Sequence, residues 1–240
     1  MKELVAMLEI KNLSKALGER PVLRNLSFAV NKGEILAVTG PNGAGKSTLF
    51  KCAAGLMKPG GGKIFLDGRP VKRNSPEVKR KIGFLGHEPF LYPSLSAVEN
   101  LRFYGKLYKV KDLDEKAFEL LRKVGLHYFK DMPVRSFSRG MIQRLAIARV
   151  LLPEPEILLL DEPHTGLDRD GLALFNGILL EKKAEGAAIL LITHDFSQVE
   201  TLADRALLLK KGKITASMEL RNPSGRISVG KWYEEAVNAG

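Results

Sequence analysis

Nine residues, Gly40-Pro41-Asn42-Gly43-Ala44-Gly45-Lys46-Ser47-Thr48, constrain this chain more than any other stretch. They fit G-x-x-x-x-G-K-[ST], a turn whose backbone wraps a chain of phosphates. Glycine lets the backbone turn tightly and keeps Cβ atoms out of an anion's way. The N–H groups then converge on a β-phosphate at the positive end of a helix that starts near Lys46. Lys46 is expected to reach the β/γ oxygens, and the Ser47 hydroxyl to ligate Mg²⁺. The alternative is a glycine-rich turn that merely joins two elements. The flanks argue against it: Glu34–Thr39 reads as a buried strand and Ser47–Leu56 as a helix start. Strand, loop and helix in that order are the setting the motif needs.

Before the loop, Leu8–Leu13 and Val22–Val30 read as antiparallel strands joined through Gly18-Glu19-Arg20-Pro21. After it come a glycine break at Gly60-Gly61-Gly62, a strand at Lys63–Leu66, a turn at Asp67-Gly68, and a basic loop or helix at Lys72–Lys81. Ile82–Leu85 returns to strand character. From about Ser94 to Leu152 the apolar spacing becomes helical, predicting helices at Ala97–Tyr108, Leu113–Val124 and Arg139–Leu152. Pro153-Glu154-Pro155 ends this insert.

Ile157–Leu160 and Ala188–Ile192 are continuous apolar runs, as expected of strands buried on both faces of a parallel sheet. Helices are predicted at Arg169–Glu185 and Phe196–Ala203, then a hairpin across Lys211-Gly212. The tail Met218–Gly240 is polar, and its Trp232-Tyr233 pair reads as a helix capping the core. The fold class is therefore α/β: a phosphate-loop NTPase core with a mostly parallel sheet, an antiparallel β subdomain and a helical insert.

Asp161 and Glu162 close the Ile157–Leu160 strand, at the sheet edge where ligands bind. Beside a phosphate loop, Asp161 is expected to hold Mg²⁺ and Glu162 to orient or deprotonate the attacking water. Without the loop they would read as a solvated pair. His194 ends the other buried strand on the same edge, so it can donate a hydrogen bond to a γ-phosphate.

With these residues the chain resembles the nucleotide-binding subunits of ATP-binding cassette (ABC) transporters, over about residues 7–215. Gly40–Thr48 is similar to the family's Walker A loop and Ile157–Glu162 to its Walker B strand. Ser136–Arg144 resembles the signature segment, Gly166-Leu167-Asp168 the D-loop and His194 the switch histidine. Ser138 reads as an N-cap at the positive end of the Arg139–Leu152 helix. The insert is expected to project away from its own phosphate loop, so Ser138 and Gly140 would face the γ-phosphate of a second chain across a two-fold axis. The resemblance implies an Mg-dependent ATPase with catalytic Glu162, His194 and Lys46. It implies ATP contacts from Gly40–Thr48, Leu17, His87, Ser138, Gly140 and Asp168, and metal contacts from Ser47, Asp161 and His87.

Four positions in three stretches depart from the family pattern. Leu17 stands where an aromatic ring usually stacks on adenine, and offers no π face. Arg139-Gly140-Met141 replaces Gly-Gly-Gln in the signature. His87 matches best the glutamine of the Q-loop, with Glu88 next to it. Leu85–Pro89 and Glu99–Tyr104 are similar to export-type cassettes, among them the ATPase subunit of the haem exporter used in cytochrome c maturation.

The resemblance implies one ABC ATPase domain over 1–240. Its core would be about 1–93 and 153–217, its helical subdomain 94–152 and its tail 218–240. The expected partners are a second ABC ATPase subunit, as homodimer or heterodimer, and transmembrane permease subunits, placing the chain on the cytoplasmic face of the membrane. No apolar run approaches the roughly 18 residues needed to span a bilayer, and Met1–Met7 lacks the pattern of a signal peptide. The lone Cys52 reads as a small core residue. The net charge of +11 suits an anionic partner. It leaves open a cassette ATPase acting on nucleic acid or ribosomes. A single phosphate loop and no coiled-coil or zinc insertion make nucleic acid the disfavoured partner.

Overall fold

The computed structural model describes residues 6–71, 75–221 and 227–238. Two sheets organise them. The first is antiparallel, in the order β2-β1-β4-β5: β1 (Ala6–Leu17), β2 (Arg20–Asn31), β4 (Gly61–Leu66) and β5 (Arg69–Pro70). The second has six strands in the order β10-β9-β3-β8-β7-β6: β3 (Ile35–Thr39), β6 (Ile82–Leu85), β7 (Ile157–Asp161), β8 (Ala188–Ile192), β9 (Arg205–Lys210) and β10 (Lys213–Glu219). All neighbours in it are parallel except the edge hairpin β9–β10. The expected α/β architecture is present.

The period-2 pattern of the central strands divides the core. Ile35, Ala37, Leu158, Leu160, Ile189 and Leu191 face one side of the sheet, and Leu36, Val38, Ile157, Leu159, Leu190 and Ile192 the other. The first side is covered by helices: α3 (Ala97–Tyr108), α4 (Leu113–Lys123), α5 (Arg139–Leu151), α6 (Arg169–Ala184), α7 (Phe196–Leu202) and α8 (Val229–Asn238). The second is covered by α1 (Lys46–Ala53) and the antiparallel sheet. A short α2 (Pro76–Lys81) precedes β6. The first part of the expected basic loop or helix, positions 72–74, lies outside the described residues. Cys52 is buried in α1 and its thiol pKa is raised, chiefly by that burial.

Two differences from the sequence reading have simple causes. β1 and β2 are longer than expected because bulges hide their alternation. Ile10 and Leu13 are both buried, as are Leu23 and Leu26, although each pair is three residues apart. Asn12 (φ 53°) and Asn25 (φ 56°) absorb the extra residue in the left-handed conformation that asparagine tolerates. Helix α1 stops at Ala53, before Leu56, because Gly55 (φ 70°) turns the chain so that Leu56 and Met57 donate back to the Lys51 carbonyl.

In the tail, Trp232 is buried on α8 and Tyr233 packs against Phe196 with ring centroids 5.0 Å apart. That is the capping helix expected of this pair.

Candidate functional site

The Gly40–Gly45 loop leaves β3 and enters α1. Two of its glycines, Gly40 and Gly45, are required by packing, whereas a Cβ on Gly43 (φ 77°) would meet nothing within 4 Å. A Cβ on Gly40 (φ 148°) would lie 2.1 Å from the Leu209 carbonyl oxygen. One on Gly45 (φ 108°) would meet Leu23 Cδ2 at 2.8 Å and the Val22 carbonyl at 3.0 Å. The loop is thus pressed against β9 and the start of β2, and Gly212 N donates to the Ala44 carbonyl (3.0 Å). Lys46 Nζ donates to the carbonyls of Gly40 (2.7 Å) and Pro41 (3.1 Å), folded over its own loop. Its pKa is lowered by burial, against the opposing pull of Glu162 and Asp161.

Ser47 Oγ donates to Asp161 Oδ2 at 3.0 Å, and His87 Nε2 lies 3.6 Å from the same oxygen. Parallel pairing of Leu85 with Leu160 brings both chain ends to one sheet edge. Burial raises the Asp161 pKa, with His87 and the Ser47 hydrogen bond opposing it. A carboxylate, a hydroxyl and an imidazole make a donor set that fits a divalent cation. Among the described residues no cluster of three or more His, Cys, Asp or Glu forms. An ion here would therefore take much of its shell from water and phosphate, as Mg²⁺ does.

Glu162 has a left-handed backbone (φ 50°), a strained state for a non-glycine residue and one that recurs at functional sites. Its N–H donates to the Ile192 carbonyl at 3.0 Å, tying the ends of β7 and β8 together. His194 Nδ1 lies 2.7 Å from Glu162 Oε1. The other carboxylate oxygen, Oε2, is buried without a hydrogen-bond partner and lies 3.5 Å from His164 Nε2. His164 was missed in the sequence, although it stands two residues past Glu162. Its ring is mostly covered, touches Thr193 Oγ1 at 3.5 Å, and has its pKa lowered by burial.

The remaining expected site residues lie further out. Ser138 caps α5, accepting from Met141 N at 3.2 Å. That helix start is pinned to the segment after Glu162: Gln143 Nε2 donates to the Pro163 carbonyl (2.7 Å), and a Cβ on Gly140 would lie 2.9 Å from the Gly166 carbonyl. Arg139 lies along Gly166. Asp168 caps α6 by accepting from Gly171 N (2.7 Å). Leu17 is half exposed at the tip of the β1–β2 hairpin, opposite Arg20. The structure thus joins Lys46, Ser47, Asp161, Glu162, His87 and His194 at one edge, whereas Ser138, Gly140 and Asp168 sit on helix starts along the Pro163–Gly166 segment.

Residues 23–165 match the model of the ABC transporter family. The lantibiotic transport ATP-binding protein SrtF of Streptococcus pyogenes is 41% identical over 213 residues, 89% of this chain and 91% of SrtF. The SkfA peptide export ATP-binding protein SkfE of Bacillus subtilis is 33% identical, with 87% of each chain covered. An ATP-binding subunit of an ABC transporter superposes with a TM-score of 0.87 at 31% identity, covering 96% of this chain and 99% of that one. A dimeric ATP-binding cassette in a post-hydrolysis state with ADP and Pi gives a TM-score of 0.82 at 28% identity, over 90% of this chain and 100% of that one.

Proposed function

The chain belongs to the ABC transporter family as one of its ATP-binding, ATP-hydrolysing subunits, and from that premise we propose that it powers an exporter as an ATP-linked dimer. The observation that carries the reading is the shared edge of β7 and β8. There the Glu162–His194 pair stands beside the Ser47–Asp161 pair.

In this reading the loop amides from Gly43 to Thr48 hold the phosphates, and Pro41 and Asn42 shape the exposed turn. Lys46 exchanges the Gly40 and Pro41 carbonyls for β/γ oxygens. Ser47, Asp161 and His87 would hold Mg²⁺, which supplies neutralisation of charge on the phosphates. Glu162 aligns the attacking water and accepts its proton. His194 turns from Glu162 Oε1 to donate to the γ-phosphate. His164 is a positioning residue that stays against Oε2 and keeps the carboxylate aimed. Leu17 packs on the adenine by apolar contact. Ser138 and Gly140 of each copy present the positive end of α5 to the γ-phosphate held by the other, and Asp168 lies at the seam. ATP then joins the two copies and hydrolysis parts them.

Transmembrane permease chains would receive that motion on the cytoplasmic face. Among the described residues no helix is long and apolar enough to cross a membrane, so the pathway in this reading lies in other chains. What supports a docking face is a groove of about 260 Å³ lined by Leu56, Phe84, Phe90, Tyr104 and Tyr108. Beneath it the buried Arg149 lies 5.2 Å from the Tyr104 ring and 5.9 Å from the Phe90 ring, and donates to the Phe84 carbonyl at 3.3 Å. Those contacts link α5 to the loop that carries His87. We propose that 94–152 moves as a helical subdomain against the core of 1–93 and 153–217, with 218–240 as a tail.

The relatives are transport and export ATP-binding proteins. They give the nucleic-acid reading no support, and the narrower likeness to a haem exporter assigns no cargo. Phosphate release by the purified chain, and its loss on replacing Glu162 by Gln, tests the catalytic reading. Co-purification with a membrane protein tests the transport reading.

A further inference from the structure

We propose that His87 is a nitrogen ligand to the nucleotide-bound cation, and that it shifts the site's preference from Mg²⁺ toward first-row ions such as Mn²⁺ and Co²⁺. The inference rests on the reading of Ser47 and Asp161 as the cation site and adds a choice of metal to it.

Three observations carry it. First, Ser47 Oγ and His87 Nε2 converge on one carboxylate oxygen of Asp161, at 3.0 and 3.6 Å. Neighbouring ligands of an octahedral ion, each about 2.1 Å from the metal, stand roughly 3 Å apart, so these spacings are close to those of ligands sharing one ion. Second, the His87 ring is 71% exposed, and Asp161 is its one ion-pair partner among the described residues. It can close the remaining gap by rotating about its own side-chain bonds. Third, β6 pairs with β7 up to Leu85 and Leu160, which holds the chain two residues before His87 and one before Asp161 side by side at the gap.

The chemistry then decides the metal. A side-chain amide at this position would offer a hard carbonyl oxygen, whereas imidazole offers a softer nitrogen. Mg²⁺ holds its water tightly and prefers oxygen, so it gains little from that nitrogen. Mn²⁺ and, more strongly, Co²⁺ gain from it, in the order in which divalent ions bind nitrogen donors.

The test is pulsed electron paramagnetic resonance on the full chain with Mn²⁺ and a non-hydrolysable ATP analogue, using ¹⁴N-labelled and ¹⁵N-labelled protein. The expected result is coupling of Mn²⁺ both to ³¹P of the nucleotide and to a protein nitrogen, with the nitrogen coupling lost in His87→Gln while the ³¹P coupling stays. Phosphorus coupling without any protein nitrogen in the wild type overturns the proposal and leaves the nucleotide site standing. Absence of phosphorus coupling overturns both. In equilibrium titrations with the same analogue, the ratio of Co²⁺ to Mg²⁺ affinity should fall about tenfold in His87→Gln. An unchanged ratio contradicts the proposal.

Discussion

His194 Nδ1 lies 2.7 Å from Glu162 Oε1, so the imidazole beyond β8 and the carboxylate beyond β7 form one partnered unit. Neither strand is adjacent to the other in sequence, and the pairing of Asp161 with Ile192 is what brings the two side chains together. Glu162→Gln keeps the shape and removes the proton acceptor. Phosphate release should fall by about 10²- to 10³-fold while ATP affinity stays within about twofold. His194→Ala should cost about 10- to 100-fold in the same assay. Unchanged turnover in Glu162→Gln would remove the catalytic assignment.

His164 addresses the second carboxylate oxygen, at 3.5 Å. His164→Phe fills the space and removes the polar contact, leaving Glu162 free to swing. The expected outcome is kcat lower by about tenfold with KM unchanged, and partial recovery in His164→Gln. Steady-state kinetics separate this from a folding defect, which would lower the active fraction without restoring kcat in the glutamine variant.

Asp204 should make stability depend on acidity. Its carboxylate accepts from Ile35 N (2.9 Å), Lys183 Nζ (2.5 Å) and Arg221 Nε (2.6 Å). Burial pushes its pKa up, but the bonds from Arg221, Lys183 and Ile35 together outweigh that and leave it below the ordinary carboxylate value. A depressed folded pKa stabilises above the unfolded value of about 3.9, and that gain is lost as pH falls through the folded one. Asp204→Asn should therefore cost about 2–4 kcal/mol in urea denaturation at pH 7. The gap from wild type should narrow as pH falls below about 4.

Leu56, 55% exposed at the rim of the Phe90–Tyr104 groove, separates docking from catalysis. Leu56→Glu should leave folding within about 0.5 kcal/mol and ATP turnover of the isolated chain unchanged. It should abolish co-purification with the membrane partner. Retained co-purification would place the docking face elsewhere.

Much of this molecule is legible in the chain because its strongest signals are local. Gly40–Thr48 announces its turn by residue type, and Ile157–Leu160 and Ala188–Ile192 announce buried strands by unbroken apolarity. Ser138 and Asp168 are polar residues just ahead of helical patterns, and both cap their helices. What was hidden depends on distance in the chain. The strand order that sets β7 between β6 and β8 follows from no short pattern. The bulges at Asn12 and Asn25 disguised strand length by breaking period 2. The Arg149 contact with Phe90 and Tyr104 joins residues that no spacing rule connects. His164 was open to view beside Glu162. Its importance lies in the turn that aims it back at the carboxylate.

In the proposed dimer, ATP bridges two copies between the Gly40–Thr48 loop of one and the Ser138 helix start of the other. Analytical ultracentrifugation of Glu162→Gln with and without ATP measures this directly. The predicted result is a monomer alone, a dimer with ATP, and a return to monomer when Ser138→Phe is added while ATP is still bound. A dimer that forms equally well without ATP, or that survives Ser138→Phe, would contradict it.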